Sequence, residues 1–412
     1  MRSIKFYKFE SGKLMEKQIM KKRILCTILC VAVVIGGCGL ENHHEASVTE
    51  ERDISLQETD ETFTTVTENG LNYDEKVMPE EENSNAENEA EDGDEKITLA
   101  FTGDIYFPDN LYEYYQNEGL NGFLSQNIID TMQNVDLYIA DHEFVASDGG
   151  QMVDYQLYTF RAPLEREKLW KEMGTDIITL ANNHTLDYGV SALQDTMNKL
   201  NELDIPYVGA GNNLDEAIKP CIIEVKGKKI AVFGSTRFVP QGSWYATETN
   251  PGLLTSYEST PYYGYILGAI SEAKKKCDYV IIYVHFGVEK SYSVAEFQKT
   301  IAHGYMDAGA DLVVGTHPHV LEGIEFYEGK PIVYSLGNFL FGNYHSDTVV
   351  LKVDINEDNT TKISLLPCSS QSYKTTDIAG DDARKLFDFM ESISFDIQID
   401  DEGNVLPSAE EQ

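Results

Sequence analysis

The sequence predicts an α/β fold in which a second sheet packs against the first. Three observations lead there. From Lys96 onward, apolar strand-like runs alternate with stretches of helical periodicity, the arrangement that builds a sheet through crossover helices. Late in the chain, strand signals follow one another directly, as for a second sheet. Several of the strand-like runs also end in Asp, Glu, Asn or His, and the carboxyl ends of strands are where such folds gather their ligands.

The elements follow in order. ITLAFTGD (97–104) is a strand ending in Gly103-Asp104, and Asn134–Phe144 is a second, ending in acidic and His residues. Leu164–Met173 reads as a helix, and Asp176–Ala181 as a strand that opens into Asn182-Asn183-His184. Leu193, Met197 and Leu200 recur at helical spacing within Val190–Leu203. Short strands near Tyr207, at Cys221–Val225 and at Ile230–Gly234 lead into an irregular region with Trp244, Pro251 and the run Tyr262-Tyr263-Gly264-Tyr265, read as loop packing. A helix at Ile266–Lys276, the strand Tyr279–Val284 ending at His285, and a helix at Ala295–Asp307 come next. The stretch from Ala310 to Phe341 reads strand, loop, strand, turn, strand, with His317-Pro318-His319 in its first loop. The fixed φ of Pro318 can turn both imidazoles toward one cavity. Thr348–Ile355 and Lys362–Leu366 are closing strands, and Asp381–Ile393 is the last helix.

Composition bounds the partners. The 412 residues carry a formal net charge of -37, which excludes a nucleic-acid binder, since that role needs a basic face. About half of this charge lies in residues 41–95, with 20 acidic residues against Arg52 and Lys76. Residues 39–95 have few large apolar side chains and are expected to be a disordered, self-repelling tether. The folded part, 96–412, follows it. Residues 1–38 have the layout of a signal peptide: Lys21, Lys22 and Arg23, an apolar run, then Ile35-Gly36-Gly37-Cys38. That ending resembles a lipobox with Cys38 as the lipid attachment site, and Met20 is an alternative start. The apolar run is too short for a spanning helix, which needs about 20 residues. Cys221, Cys277 and Cys368 show no paired spacing and are expected to be free, buried thiols.

The strand ends supply Asp104, Glu143, Asn183, His184, His285, His317 and His319. Carboxylate, amide oxygen and imidazole together suit Mn, Fe or Zn. Two such ions bridged by a carboxylate activate water and stabilise an attacked phosphoryl or acyl centre. Arg161 and Arg237 follow apparent strands and are candidates to grip an anionic substrate. Glu289 and Gln298 are candidate cleft residues, and Gly337-Asn338 is expected to shape a turn near the His loop. An anionic substrate would be repelled by the chain as a whole, so its attraction must be local.

FTGD (101–104), LANNHTLDYG (180–189), VHFGVEKSYS (284–293), GADLVVGTHPHV (309–320) and YSLGNFLF (334–341) together resemble the CapA family of bacterial capsule and poly-γ-glutamate synthesis, over about residues 97–366. The resemblance implies a calcineurin-like metallophosphoesterase-type β-sandwich flanked by helices, in layers αββα. It also implies one or two divalent ions, with Asp104 and His319 on one, Asn183, His285 and His317 on the other, and Glu143 as the bridge. His184 would act as proton donor, oriented by Asp187. Two positions depart from the pattern. Asp141-His142-Glu143 replaces an Asn-x-Glu, leaving Asp141 and His142 as alternative ligands, and Tyr106 stands where the related enzymes carry a ligand His. The implied role is in capsule or poly-γ-glutamate synthesis or export, at the outer face of the cell membrane through a lipid anchor. The implied partners are membrane-bound capsule synthesis machinery and an anionic polymer or phosphoester substrate of a metal-dependent hydrolase-type site. The alternative is a non-catalytic lipoprotein that binds the polymer and keeps the metal as structure.

Overall fold

A computed structural model of the chain describes residues 5–7 and 96–408. Its central strand, Ile97–Ile105, pairs in parallel with Leu137–His142 on one edge and antiparallel with Ser346–Ile355 on the other. Covered on both faces, it buries every residue but the half-buried Thr98, which is why it reads as a continuous apolar run.

Two sheets form the core. In the first, the order is Ile397–Ile399, Asn404–Pro407, Thr361–Gln371, Ser346–Ile355, Ile97–Ile105, Leu137–His142, Ile177–Thr179, Tyr207–Val208. In the second, Cys221–Val225, Lys228–Thr236, Tyr279–His285, Leu312–Thr316, Lys330–Leu336 and Leu321–Tyr327 lie in sequence across the sheet, with Lys5–Tyr7 added antiparallel outside the first of them. Leu99, Phe101 and Ile139 from the one sheet and Val232, Ile281 and Val314 from the other share a single buried cluster. The alternate residues Ala100, Ala140 and Ile178 meet Ile128, Trp170 and Leu193 of covering helices, and Phe233, Val280 and Ile282 meet Ile266, Ile270 and Ile301 on the far side. The period of two along each strand thus serves two interfaces, and the layers are αββα. Each large side chain so buried contributes roughly 1.5–3 kcal/mol.

The late strands divide between the two sheets: Leu312–Thr316, Leu321–Tyr327 and Lys330–Leu336 belong to the second, but the two closing strands do not. Ser346–Ile355 and Thr361–Gln371 return to the open edge of Ile97–Ile105, and the middle of the chain builds the other layer. Asn134, expected to open a strand, closes the helix Gln126–Asn134. The tyrosine run is not a loop but the first turns of the helix Pro261–Lys274, which has proline in its first turn. The hydroxyl of Tyr263 there donates to the carbonyls of Thr300 and Ile301 at 3.2 Å.

Among the described residues no helix is long and apolar enough to cross a membrane. The expected signal segment beyond Tyr7, Cys38 and the acidic tether lie outside the described residues. Cys277 and Cys368 are free and buried, whereas Cys221 is free but only half-buried. Burial pushes the Cys221 thiol up to about 12, so it is unreactive at neutral pH.

Candidate metal centre

Within each sheet the site-bearing strands run parallel, so their carboxyl ends lie together. Gly103 brings the first of them in. A Cβ at that position would lie 1.8 Å from the carbonyl oxygen of Gly337. Only glycine therefore allows the adjacent bond from the Asp104 amide to that oxygen, at 3.0 Å. Asp104 then accepts the His317 amide on Oδ1 at 3.2 Å and faces His319 Nδ1 with Oδ2 at 3.1 Å.

Asp141, on the next strand, accepts from Asn182 Nδ2 at 3.1 Å, from the Thr316 hydroxyl at 3.0 Å and from His285 Nδ1 at 2.9 Å. The last bond selects the His285 tautomer with its proton on Nδ1. Nε2 is left bare in the neutral ring, and it points at Asn183 Oδ1 at 2.7 Å, His317 Nδ1 at 3.0 Å and Glu143 Oε1 at 3.7 Å. Asn183 Oδ1, His285 Nε2 and Glu143 Oε1 thus bring electron-pair donors together, a set that calls for a cation.

Glu143 makes the same demand. It is fully buried, and neither carboxylate oxygen has a hydrogen-bond partner. Its Oε1 lies 3.7 Å from Nε2 of both His285 and His319 and 3.9 Å from Nε2 of His184. Burial, and then the charges of Asp104 and Asp141, hold its pKa well above the carboxylate range. The groups Glu143/His285/His317, Asp104/Glu143/His319 and Asp104/Asp141/His285 each bring ligand atoms within 4.8 Å of one another. Each could hold a metal ion, and Glu143, Asp104 and His285 each belong to two of the three. The donor chemistry fits a divalent ion and does not choose among Mn, Fe and Zn.

The His loop owes its shape to the backbone as much as to Pro318. His317 and His319 have φ of 102° and 59°, left-handed values uncommon outside glycine. A Cβ on Gly287 would lie 2.6 Å from Cγ of Pro318, so the loop needs that glycine beside it. Phe238 stacks on His317 and Phe341 on His319, each at 4.7 Å between centroids. Burial and then the neighbouring imidazoles drive the pKa of His317 well down. For His319 burial acts in the same direction, but the bond and charge of Asp104 outweigh it and leave the pKa raised.

His184 Nδ1 lies 2.8 Å from Asp187 Oδ2. Asp187 also accepts the Phe160 amide at 2.7 Å and the Gln156 side chain. Burial lowers the His184 pKa despite Asp187, and raises that of Asp187 despite the imidazole. Asn183, His184 and His319 open onto a cavity of about 490 Å³.

Other expected residues lie elsewhere. His142 turns away, with Nε2 3.1 Å from Glu167 and its ring stacked on Phe144 at 3.8 Å, which leaves Asp141 alone of the two beside the site. Tyr106 packs against Phe144 and Phe160 and donates its hydroxyl to the Arg161 carbonyl at 3.2 Å. The guanidinium of Arg161 donates to the Gly149 carbonyl and lies over Tyr188. That of Arg237 is held by Glu258 between the rings of Tyr257 and Phe297. Neither arginine lines the cavity, whereas Glu289 and Lys290 do. Asn338, read as a turn former, also places Oδ1 2.9 Å from His319 Nδ1. Its position directly after Gly337 in YSLGNF was the available signal.

Gln298 is buried rather than in the cleft, and its Nε2 donates to Glu322 at 2.6 Å. The other oxygen of Glu322 has no partner, and burial lifts this carboxyl from an ordinary 4.5 to about 8. The folded state then keeps a proton that the unfolded chain releases. Stability is therefore expected to fall by up to about 4 kcal/mol as pH rises from about 5 to about 8. Urea unfolding across that range should show the loss in the native protein and a flatter profile in Glu322→Gln. Equal slopes would remove Glu322 as its source.

Two sheets between helices, with carboxylates, an amide and imidazoles converging at the strand ends, define an αββα domain with a candidate metal centre. Residues 98–343 match the family described as bacterial capsule synthesis protein PGA_cap, and the chain belongs to that family. It is 31% identical to the capsule biosynthesis protein CapA of Bacillus anthracis over 289 residues, 67% of this chain and 68% of that one. It is 30% identical to the PGA biosynthesis protein CapA of Bacillus subtilis, over 66% of this chain and 72% of that one. A probable polyglutamine synthesis accessory protein of Mycobacterium tuberculosis is 28% identical over 49% of this chain and 55% of its own length.

Proposed function

We propose that this chain acts in capsule poly-γ-glutamate synthesis or export, as a metal-dependent hydrolase or transferase held at the outer face of the membrane by lipid on Cys38. The observation that carries the catalytic part is Glu143, a buried carboxylate with no hydrogen bond to either oxygen and three imidazoles around it. Natural proteins seldom leave such a group unsatisfied without a bound ion, a water or a catalytic role to account for it, and the three imidazoles beside it favour the ion.

In this reading Asp104 and His319 would hold one ion and Asn183, His285 and His317 a second, with Glu143 available to both. Bound there, divalent ions supply Lewis-acid polarisation of an anionic phosphoryl or acyl centre. The chain's own residues do the rest. Asp141 orients His285 through Nδ1. His184, with Nδ1 engaged by Asp187, presents Nε2 to the cavity, where it would take up a proton and hand it to the leaving oxygen or nitrogen. Phe160, Phe238 and Phe341 wall the cavity and limit water around the reacting centre. Membrane-bound capsule synthesis proteins are the partners this reading expects.

One observation favours a non-catalytic polymer-binding role: Tyr106 offers no ligand, so the Asp104 and His319 position has fewer donors than its neighbour. Metal quantification on purified protein, with His317→Ala beside it, together with turnover of chromogenic phosphoesters and of poly-γ-glutamate in Mn or Fe, separates the readings. Stoichiometric metal, lost in the variant, with turnover is expected. Metal without turnover selects the binding role, and absence of metal overturns the metal centre itself.

A further inference from the structure

The cavity over the metal ligands does not end at them. One arm, of about 490 Å³, is walled largely by aromatic side chains, among them Tyr158, Phe160, Phe238 and Phe341. A second cavity of about 430 Å³ lies beyond His319 and is more polar, bounded by Tyr292, His345, Ser346 and Asp347. His319, Lys290 and Tyr344 line both, so the two cavities adjoin across these three side chains on the His319 side of the site.

Lys290 is the single Lys or Arg among the residues lining either arm. It is exposed and forms no ion pair with any described residue, in a chain whose acidic side chains outnumber basic ones 69 to 32. Its backbone is fixed to the His loop. The amide donates to the Pro318 carbonyl at 2.7 Å, and the residue has a φ of 60°, a conformation that costs a lysine energy and persists only where its surroundings impose it. An unpaired cation is thus held at the junction of the two arms, next to the ligand His319. Arg161 and Arg237, the other basic candidates, are engaged elsewhere.

We propose that Lys290 is an anion subsite: it grips one acidic group of an extended linear polymer whose neighbouring unit lies over the metal centre. The ligand then occupies both arms and is held along its length rather than by one end. The aromatic arm suits the methylene segments of such a chain, and Lys290 suits its carboxylates. This rests on the polyglutamate reading above for the identity of the polymer, but not for the role of the lysine.

The test measures binding of γ-linked glutamate oligomers of graded length, and of poly(glycerol phosphate), to the Mn-loaded full chain, its Lys290→Gln variant and its Lys290→Arg variant. Affinity for glutamate oligomers is expected to rise with length and then level off. Lys290→Gln should lose about 10- to 100-fold for long oligomers and nothing for single glutamate, with Lys290→Arg retaining most of the affinity and both variants retaining their metal. Equal binding by native protein and Lys290→Gln overturns the subsite, and affinity independent of length overturns the occupation of both arms. If only poly(glycerol phosphate) binds, in a Lys290-dependent way, the subsite stands and the polyglutamate reading falls. If neither polymer binds the metal-loaded protein, both fall.

Discussion

Replacing Glu143 by Gln is expected to stabilise the metal-free protein and to abolish stoichiometric metal binding. The two effects have one origin. Without an ion, the ionised carboxylate is buried beside Asp104 and Asp141 with no donor on either oxygen, and the protein meets this cost by holding the group protonated. Gln keeps the shape and removes the charge. In chelator the variant should therefore melt higher, by about 1.5–5 °C for a gain of 1–3 kcal/mol in a domain of this size. With Mn supplied the order should reverse. The native protein gains stability from ion binding by mass action, whereas the variant has lost a carboxylate that belongs to two of the three ligand groups. Thermal unfolding with and without chelator, beside metal quantification, reads both halves. A variant that melts lower in chelator, or that still carries the native metal content, would remove Glu143 from the centre.

The α/β class and the set of polar residues that converge at the strand ends were legible in the sequence because both depend on local pattern, whereas the αββα layering was implied only by the family resemblance. A strand buried on both faces is a continuous apolar run, as Ile97–Ile105 and Tyr279–His285 are, and a strand end at the site stops on a ligand type. Which strands share a sheet was not legible. Ser346–Ile355 lies about 240 residues from the strand it joins, and no local signal encodes that pairing. The helix Pro261–Lys274 was read short because Tyr and Gly in its first turns resemble loop composition, while contacts of Tyr262 and Tyr263 with neighbouring elements hold them helical. At the site, spacing could not separate Asp141 from His142. Adjacent residues on a strand point to opposite faces, so one had to leave, and the pocket of Glu167, Phe144 and Trp170 took the histidine. Nor could sequence say where an arginine's side chain goes. Arg161 and Arg237 sit close to site residues in the chain, but an aromatic ring and a hydrogen-bond acceptor hold each of them elsewhere.

Substituting His184 by Asn is expected to lower turnover by about 10²- to 10⁴-fold while leaving metal content unchanged. The imidazole is not needed to hold an ion, because Asn183, the neighbour that faces His285 Nε2 at 2.7 Å, remains. What is lost is a positioned proton. The loss should therefore depend on the leaving group: large for an alkyl ester, whose oxygen must be protonated as it departs, and small for a nitrophenyl ester, whose oxygen leaves unaided. Asp187→Asn should follow the same dependence with a smaller loss, since its amide can still meet Nδ1 but no longer favours the protonated ring. It should also raise KM, which His184→Asn should not, because Asp187 receives the Phe160 amide and the Gln156 side chain at the cavity wall. A His184→Asn protein equally impaired on both esters would assign the residue to shaping the site rather than to proton transfer. Loss of metal in that variant would make it a ligand.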